Sequence, residues 1–401
     1  MSNDGAQADN YLSQIREVLQ AASAHDLQAL RRYTRDYSFP DCKVVDVQDP
    51  ASGQSPLHAV IYSCASLTNG ESLPSNSKED TGSEAVRFLL EHGAIWNQLD
   101  NNNETPGCVA YRLGLESLYQ LMVDAGVRAE MLLSRLDDYE RLEDGDEEPE
   151  DGDEEPEDEQ DLPAGPNDDI AVEAAEMGRP DVDSSTYLSS ELSFSGRMLL
   201  DEQQNGVMMA WESDIMLKSA NALLTRPDLR ILNIGFGMGI VDTHIQNHPN
   251  KPSSHHIIEA HPEVLASLQS QGWQDKPGVV VHAGKWQDVL PQLITEGHVF
   301  DAIYFDTFAE SYADFRDFFS EQVIGLLDQE GRWSFFNGMG ADRQLSYDVY
   351  QKVVEYDLFE AGFDVEWESM ALPKLDKEWE GVRRKYWNVD EYRLPVCRFM
   401  D

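Results

Sequence analysis

Residues 143–161 read EDGDEEPEDGDEEPEDEQD: 14 of 19 positions are acidic and the rest are Gly, Pro or Gln. A segment without apolar side chains cannot offset the entropy of ordering, and its like charges repel. It is therefore expected to be a disordered, extended linker. The heptad EDGDEEP stands twice in succession within it. The run is a solvated spacer or, on a sharper reading, an electrostatic lure for a basic protein. On either reading it splits the 401-residue chain into separate folding problems. The expected division is a helical domain at 1–136, the acidic linker at 137–182 and a larger domain at 183–401.

Charge narrows the choice of partners. The chain carries 75 acidic and 30 basic residues, a net −45, and subtracting the 14 charges of the run still leaves −31. Such a field repels nucleic acid and anionic membrane, and it attracts a basic protein or a cationic small molecule. No stretch of 18 apolar residues occurs, and MSNDGAQADN has neither a basic start nor an apolar core. Membrane-spanning and secretory readings are set aside on that ground. Four scattered cysteines (Cys42, Cys64, Cys108, Cys397) make neither a disulfide framework nor a CxxC metal site, which points to a reducing, intracellular compartment.

Before the linker the pattern is helical. Across 11–30, Leu12, Ile15, Val18 and Leu19 fall at helix-face spacing. Pro56, Leu57, His58 and Ala59, then Leu89, Leu90, Gly93 and Ala94, resemble the T-P-L-H-x-A and L-L-x-x-G-A elements of ankyrin repeats. A degenerate second copy keeps Thr105 and Pro106. The spacing from Pro56 to Pro106 is 50 residues, so the first repeat would carry a loop-like insertion at 67–81. His58 is expected to fix a turn rather than bind a ligand. The resemblance implies a small helical protein-binding module.

After the linker the pattern changes to strands alternating with helices. Residues 229–239, LRILNIGFGMG, run a short apolar strand into Gly235, Gly237 and Gly239, with a helix expected over 240–247. Glycines at a strand end permit a sharp turn and close approach of a ligand. The spacing is G-x-G-x-G, not the G-x-G-x-x-G of dinucleotide-binding domains. A second strand, 255–258, leads into Glu259, 24 residues after Gly235, where nucleotide-binding α/β folds put a ribose-binding carboxylate. Further apolar runs at 278–281, 299–305 and 332–336 predict a mostly parallel sheet with a crevice at its carboxyl ends.

Each of these residues has a plainer role open to it. Glu259 could cap the next helix. Trp286 could be core or could stack on a purine. Asp301 begins a strand and reads as structural, whereas Asp306 ends the same strand and faces the crevice. His255 and His256 point to opposite faces, so no metal site is expected. The segment VMMAWESDIM (207–216) is read within a helix running to residue 224, where Met208, Trp211 and Met216 fit core more often than cofactor contact.

VMMAWESDIM, NIGFGMGI, HIIEAH, GKWQDV and FDAIYFDTF stand in the order and spacing of the guanidinoacetate N-methyltransferase family, a class I S-adenosylmethionine-dependent group. The resemblance covers about residues 185–401. With an ankyrin-like start and an acidic linker, the whole chain resembles the fungal type IV protein arginine N5-methyltransferase family. The resemblance implies an α/β, Rossmann-like, mostly parallel seven-stranded sheet and S-adenosylmethionine as cofactor. It also implies arginine-containing protein substrates and a location in cytoplasm and nucleus. It carries Phe236, Gly237, Met238, Gly239, Ile240 and Val241 onto the methionine part of the cofactor and Glu259 onto its ribose. Ala260 and His261 would flank ribose and adenine, and Lys285 and Trp286 would border the adenine. Met208 and Met216 would line the sulfonium pocket, with Tyr187 as a further contact from an N-terminal lid; Asp306 also counts among the cofactor contacts.

Glu212 and Asp306 would clamp a guanidinium, Asp306 taking the proton and Glu212 orienting. The small-molecule enzymes carry a Thr-Ser pair after the fifth strand to receive a carboxylate. This chain has Asn337-Gly338-Met339-Gly340 instead, which favours an arginine side chain as substrate. The expected reaction is a single methylation of the arginine δ nitrogen (N5). A small-molecule guanidino methyltransferase, and an ankyrin-type adaptor with an inactive catalytic fold, are the alternatives.

Overall fold

The computed structural model describes residues 3–65, 76–144 and 183–400. Two compact units emerge: 1–132 with 343–352, and 133–342 with 353–401. These bounds differ from the expected 1–136 and 183–401, because the helix Glu116–Asp144 runs across residue 136 and because 343–352 clusters with the first unit. Of the expected linker, residues 145–182 lie outside the described residues.

The first unit is helical: α1 (Asn3–Ser23), α2 (Leu27–Asp36), α3 (Pro56–Ala65), α4 (Asn76–Glu91), α5 (Pro106–Arg112) and α6 (Glu116–Asp144). The single helix read over 11–30 is two. His25 takes φ 53°, and the Asp26 carboxylate accepts the Ala29 N–H at 3.0 Å, capping a new helix. The insertion at 67–81 falls partly outside the described residues, and its last part, from Asn76, belongs to α4 rather than to a loop. His58 is fully buried. Its Nδ1 accepts the Ser55 N–H at 3.2 Å, so Nε2 carries the proton and donates to the Glu104 carbonyl at 3.0 Å. Burial lowers its pKa and keeps it neutral in that turn-fixing role.

After the end of α6, the second unit continues with α7 (Ser184–Ser189) and a small antiparallel sheet of β1 (Ser193–Phe194), β2 (Met198–Leu200) and β3 (Gly206–Met209). Here the sequence reading is corrected: Val207–Met209 is strand, not helix. Met198 and Leu199 pair with Met209 and Met208, and Glu212 Oε1 accepts the Met209 N–H at 2.9 Å, so helical turns start only at Ala210. α8 (Ser213–Leu223) follows.

The main sheet then alternates with helices: β4 (Arg230–Ile234), α9 (Ile240–Asn247), β5 (Ser254–Glu259), α10 (Pro262–Ser270), β6 (Val279–Ala283), α11 (Trp286–Thr295) and β7 (Phe300–Phe305). Next come α12 (Tyr312–Asp317), α13 (Val323–Leu326), β8 (Leu327–Phe335), α14 (Gln344–Glu360), β9 (Phe363–Ala371) and β10 (Glu391–Phe399). Strand order is β6-β5-β4-β7-β8-β10-β9, parallel except that β10 runs antiparallel to both neighbours. Because strand side chains alternate, Ile231, Ile257, Ala302 and Tyr304 pack on one face with Met216, Val241 and Leu268. Leu232, Ile258, Ile303 and Phe305 pack on the other with Leu290, Phe318 and Leu358. Both faces being covered, the strands read as unbroken apolar runs. Asp301 proves structural: its carboxylate accepts the Arg230 backbone N–H at 2.8 Å and Nε at 2.9 Å. His255 and His256 face opposite ways, the first within 3.0 Å of Gln246, the second within 3.0 Å of His282.

Candidate cofactor and substrate site

The carboxyl ends of β4, β5, β6 and β7 remain tied one residue beyond the strands. Gly235 donates to Ile258 O, Asp306 to Ile234 O and Gly284 to Glu259 O, each at 2.9 Å. At this rim the chain turns at Gly235, φ +90°, and a Cβ built there would lie 1.9 Å from the Asp306 carbonyl oxygen. Only glycine lets β4 and β7 approach so closely. Asn233, fully buried, braces the turn by donating to Gly235 O and to Asp242 Oδ1, both at 2.9 Å. The rim opens on a cavity that residues of α7 and β3 also line.

Eight of the residues expected at the site line this cavity: Tyr187, Met208, Gly237 and Glu259, and with them Ala260, Lys285, Trp286 and Asp306. The others stand back from it. Met216 and Phe236 are fully buried in the core beside Met208, and Val241 is buried there too. Met238 donates its N–H to Met208 Sδ at 3.2 Å, and Gly239 N-caps α9, which opens at Ile240. His261 is buried against the Tyr187 ring, 4.8 Å between centroids, and its Nε2 meets the Tyr187 carbonyl at 3.1 Å. Trp286 packs edge-on against Phe305 and Phe318, as a core aromatic does, and it also lines the cavity.

Glu259 is the acceptor at the centre of this wall. Its Oε2 takes the N–H groups of Phe236 and Gly237 at 2.9 and 3.3 Å, and its Oε1 takes that of His261 at 2.7 Å. Burial raises its pKa, against the lowering effect of those backbone donors. The carboxylate is thus held rigidly at the cavity surface, with lone pairs left for hydroxyl donors.

Two further carboxyl groups lie deeper. Glu212 is 2% exposed; its Oε1 accepts both the Met209 N–H and the Tyr386 hydroxyl. Burial pushes its pKa up to about 7, against the lowering effect of those two bonds. Asp306 Oδ2 is buried with no hydrogen-bond partner among the described residues. Its pKa is raised well above the usual carboxylate range, first by burial and then by the charges of Glu212 and Asp242. Glu212 itself does not line the cavity, yet its charge acts on Asp306, which does. Burial disfavours the ionised form of both groups, and a cation bound beside them would favour it.

The guanidinoacetate N-methyltransferase family matches residues 198–380. Over 96% of its length the chain is 59% identical to protein arginine N-methyltransferase 2 of Aspergillus oryzae, of which 97% is covered. The chain belongs to the protein arginine N-methyltransferase 2 family. Its counterpart in Emericella nidulans is 54% identical with both chains covered in full, and that in Yarrowia lipolytica is 38% identical over 86% of this chain and 84% of the other. The fold is the α/β class I S-adenosylmethionine-dependent methyltransferase fold. Among solved structures, Aeropyrum pernix fibrillarin with bound S-adenosyl-L-methionine aligns at TM-score 0.34 and 12% identity, covering 53% of this chain and 83% of that one.

Several residues of this family member escaped the sequence reading. Glu310 accepts the Trp286 Nε1–H at 2.8 Å and the Thr307 hydroxyl at 3.0 Å, fixing the indole at the cavity wall. Ser184, Leu188, Val207 and Phe308 also line the cavity. Tyr386, which bonds Glu212, lies 174 residues downstream of it and outside the matched 198–380 segment. No local spacing announces such a contact. Only the Glu310-Ser-Tyr turn after FDTF could have drawn attention to Glu310, as a carboxylate close behind a strand end.

Proposed function

We propose that this protein transfers one methyl group from S-adenosylmethionine to the δ nitrogen of arginine residues in protein substrates, with Glu212 and Asp306 clamping the guanidinium. The observation that carries this reading is the unpartnered, buried Asp306 Oδ2 beside the charge of Glu212. An unsatisfied buried carboxylate oxygen is costly, and a planar guanidinium with its fork of N–H donors removes the cost.

The cofactor supplies a methyl group bonded to a positive sulfonium, so the protein's task is alignment rather than activation. Its residues fit the group: the glycine turn leaves no Cβ at the rim, Glu259 suits ribose hydroxyls, and Met208 offers an apolar, polarizable wall. Charge-assisted hydrogen bonds from the two terminal guanidinium nitrogens to the carboxylates draw positive charge toward those nitrogens. The chain-bearing nitrogen is left the better nucleophile and the one facing the methyl. The raised proton affinity of Asp306 fits it to take the proton that this nitrogen gives up. A second addition is excluded because Nδ then carries no hydrogen.

Arginine in a protein suits the site better than guanidinoacetate. Asn337, where a carboxylate anchor would stand, is 2% exposed, takes the Tyr392 hydroxyl as acceptor for its N–H at 3.0 Å and donates Nδ2 to Arg393 O at 3.1 Å. The net charge of −45 favours basic protein substrates, and the helical first unit serves as a protein-contact module of ankyrin-like type. The test offers methyl-labelled S-adenosylmethionine with guanidinoacetate in one reaction and basic cellular proteins in another. Label in protein arginine supports the reading; label in the small molecule alone refutes it.

A further inference from the structure

Glu212 is held asymmetrically. Both of its hydrogen bonds, from the Met209 N–H and from the Tyr386 hydroxyl, end on Oε1, and Oε2 receives neither. The Met209 bond is local, three residues away. The Tyr386 bond reaches across the fold and is set by a separate construction. Arg383 ties its loop to the β2–β3 turn, donating its N–H to Gln204 O at 2.9 Å, Nε to Asn205 Oδ1 at 3.1 Å and Nη2 to Gln203 Oε1 at 3.0 Å. That turn is itself locked by Asn205 donating to both Asp201 oxygens, at 2.8 and 2.7 Å. Gly206 then leaves the space the phenol occupies, since a Cβ there would lie 2.9 Å from Tyr386 Cε1. Trp379 meets the ring edge-on at 4.9 Å, and Trp211 stands 6.3 Å from it. A ring so confined has one orientation, and so does the hydroxyl it carries.

Building on the arginine clamp described above, we propose that Tyr386 is its positioning residue. By holding Oε1 of Glu212, it makes Oε2 the oxygen offered to a terminal guanidinium N–H. Tyr386 itself does not touch the reacting atoms. The charged and titratable groups acting around this pair are Tyr304 on β7 and Asp306 just past its end, and the Tyr386 bond works against burial to favour the ionised form of Glu212. Removing only the hydroxyl therefore has two linked effects. The carboxylate gains rotational freedom, and its proton is held to higher pH.

The test is Tyr386→Phe in the full-length chain, assayed on an arginine-containing basic protein across pH 6 to 9. S-adenosylmethionine affinity should stay at the wild-type value, because Glu259 and the glycine rim are untouched. kcat/KM for the protein substrate should fall about tenfold to a hundredfold, the range for losing a hydrogen bond to a charged group. The acid limb of the pH profile should move up by about one unit. In a Glu212→Gln background the same substitution should change nothing further. Gly206→Ala, which crowds the ring without altering the hydroxyl, should reproduce the substrate-specific loss if Tyr386→Phe proves poorly folded. A wild-type pH profile and kcat/KM in Tyr386→Phe, or an equal loss with and without Glu212, overturns the proposal. Failure of the clamp itself looks different: Glu212→Gln would then be as active as the wild type on arginine.

Discussion

Replacing Glu212 by Gln should make the protein more stable while cutting its activity to a small residual level. Glu212 is 2% exposed and ionises only at about 7, against an unfolded value near 4.5. A carboxyl group whose folded pKa is raised stabilises below its unfolded pKa, and that contribution is lost as pH rises through the folded pKa. Held at about 7 rather than near 4.5, the ionised side chain costs on the order of 3 kcal/mol at pH 8.5. Gln keeps an acceptor for the Met209 N–H and the Tyr386 hydroxyl but carries no charge. It also lifts one of the charges that burden Asp306. At roughly 2–4 °C per kcal/mol for a unit of this size, Tm of the ligand-free variant should exceed that of the wild type by about 6–12 °C at pH 8.5. The gain should shrink below about 1 kcal/mol at pH 5, where the wild-type carboxyl is protonated. Thermal and urea melts at the two pH values measure it, and a radiolabel assay follows activity. A variant no more stable than the wild type at pH 8.5 would show that Glu212 is not a strained, desolvated acid, and the electrostatic basis of the clamp would go with it.

Three other outcomes follow from the same geometry. Gly235→Ala should cost about 2–5 kcal/mol, the left-handed backbone penalty plus overpacking against the Asp306 carbonyl, whereas Gly297→Ala, φ +79° with nothing near its Cβ, should cost only about 1–2; equal losses in urea melts would mean that β4 and β7 are free to separate at the rim. Glu259→Ala should weaken S-adenosylmethionine binding by about 1.5–3 kcal/mol, and calorimetry showing unchanged affinity would reject the ribose assignment. At pH 7 the binding of an arginine peptide should release protons from the Glu212–Asp306 pair, detected as a heat that varies with buffer ionisation enthalpy; a buffer-independent heat would mean that the empty clamp is already ionised.

The five parallel strands and their crevice were legible because both sheet faces are covered, so β4, β5 and β7 read as apolar runs ending in glycine or a carboxylate. Glu259 and Asp306 were found for the same reason: a charge placed at the end of such a run has nowhere to go but the rim. Val207–Met209 was misread because its strand character comes from pairing with Met198 and Leu199, a contact that local periodicity does not carry. The break at Asp26 rests on a cap and on a left-handed His25, single-residue signals inside an otherwise helical pattern. Tyr386 and Glu310 were invisible for a different reason. Each matters through one hydrogen bond to a residue far away in sequence, and such a bond leaves no spacing to count.

The central claim is that the clamp holds the terminal nitrogens and presents Nδ to the methyl group. Fragmentation mass spectrometry of arginine from a labelled protein substrate separates methylation at the internal nitrogen from methylation at the terminal ones. The account predicts N5-monomethylarginine as the main product, with no dimethylated form. Terminal monomethylarginine or dimethylarginine as the main product would contradict it.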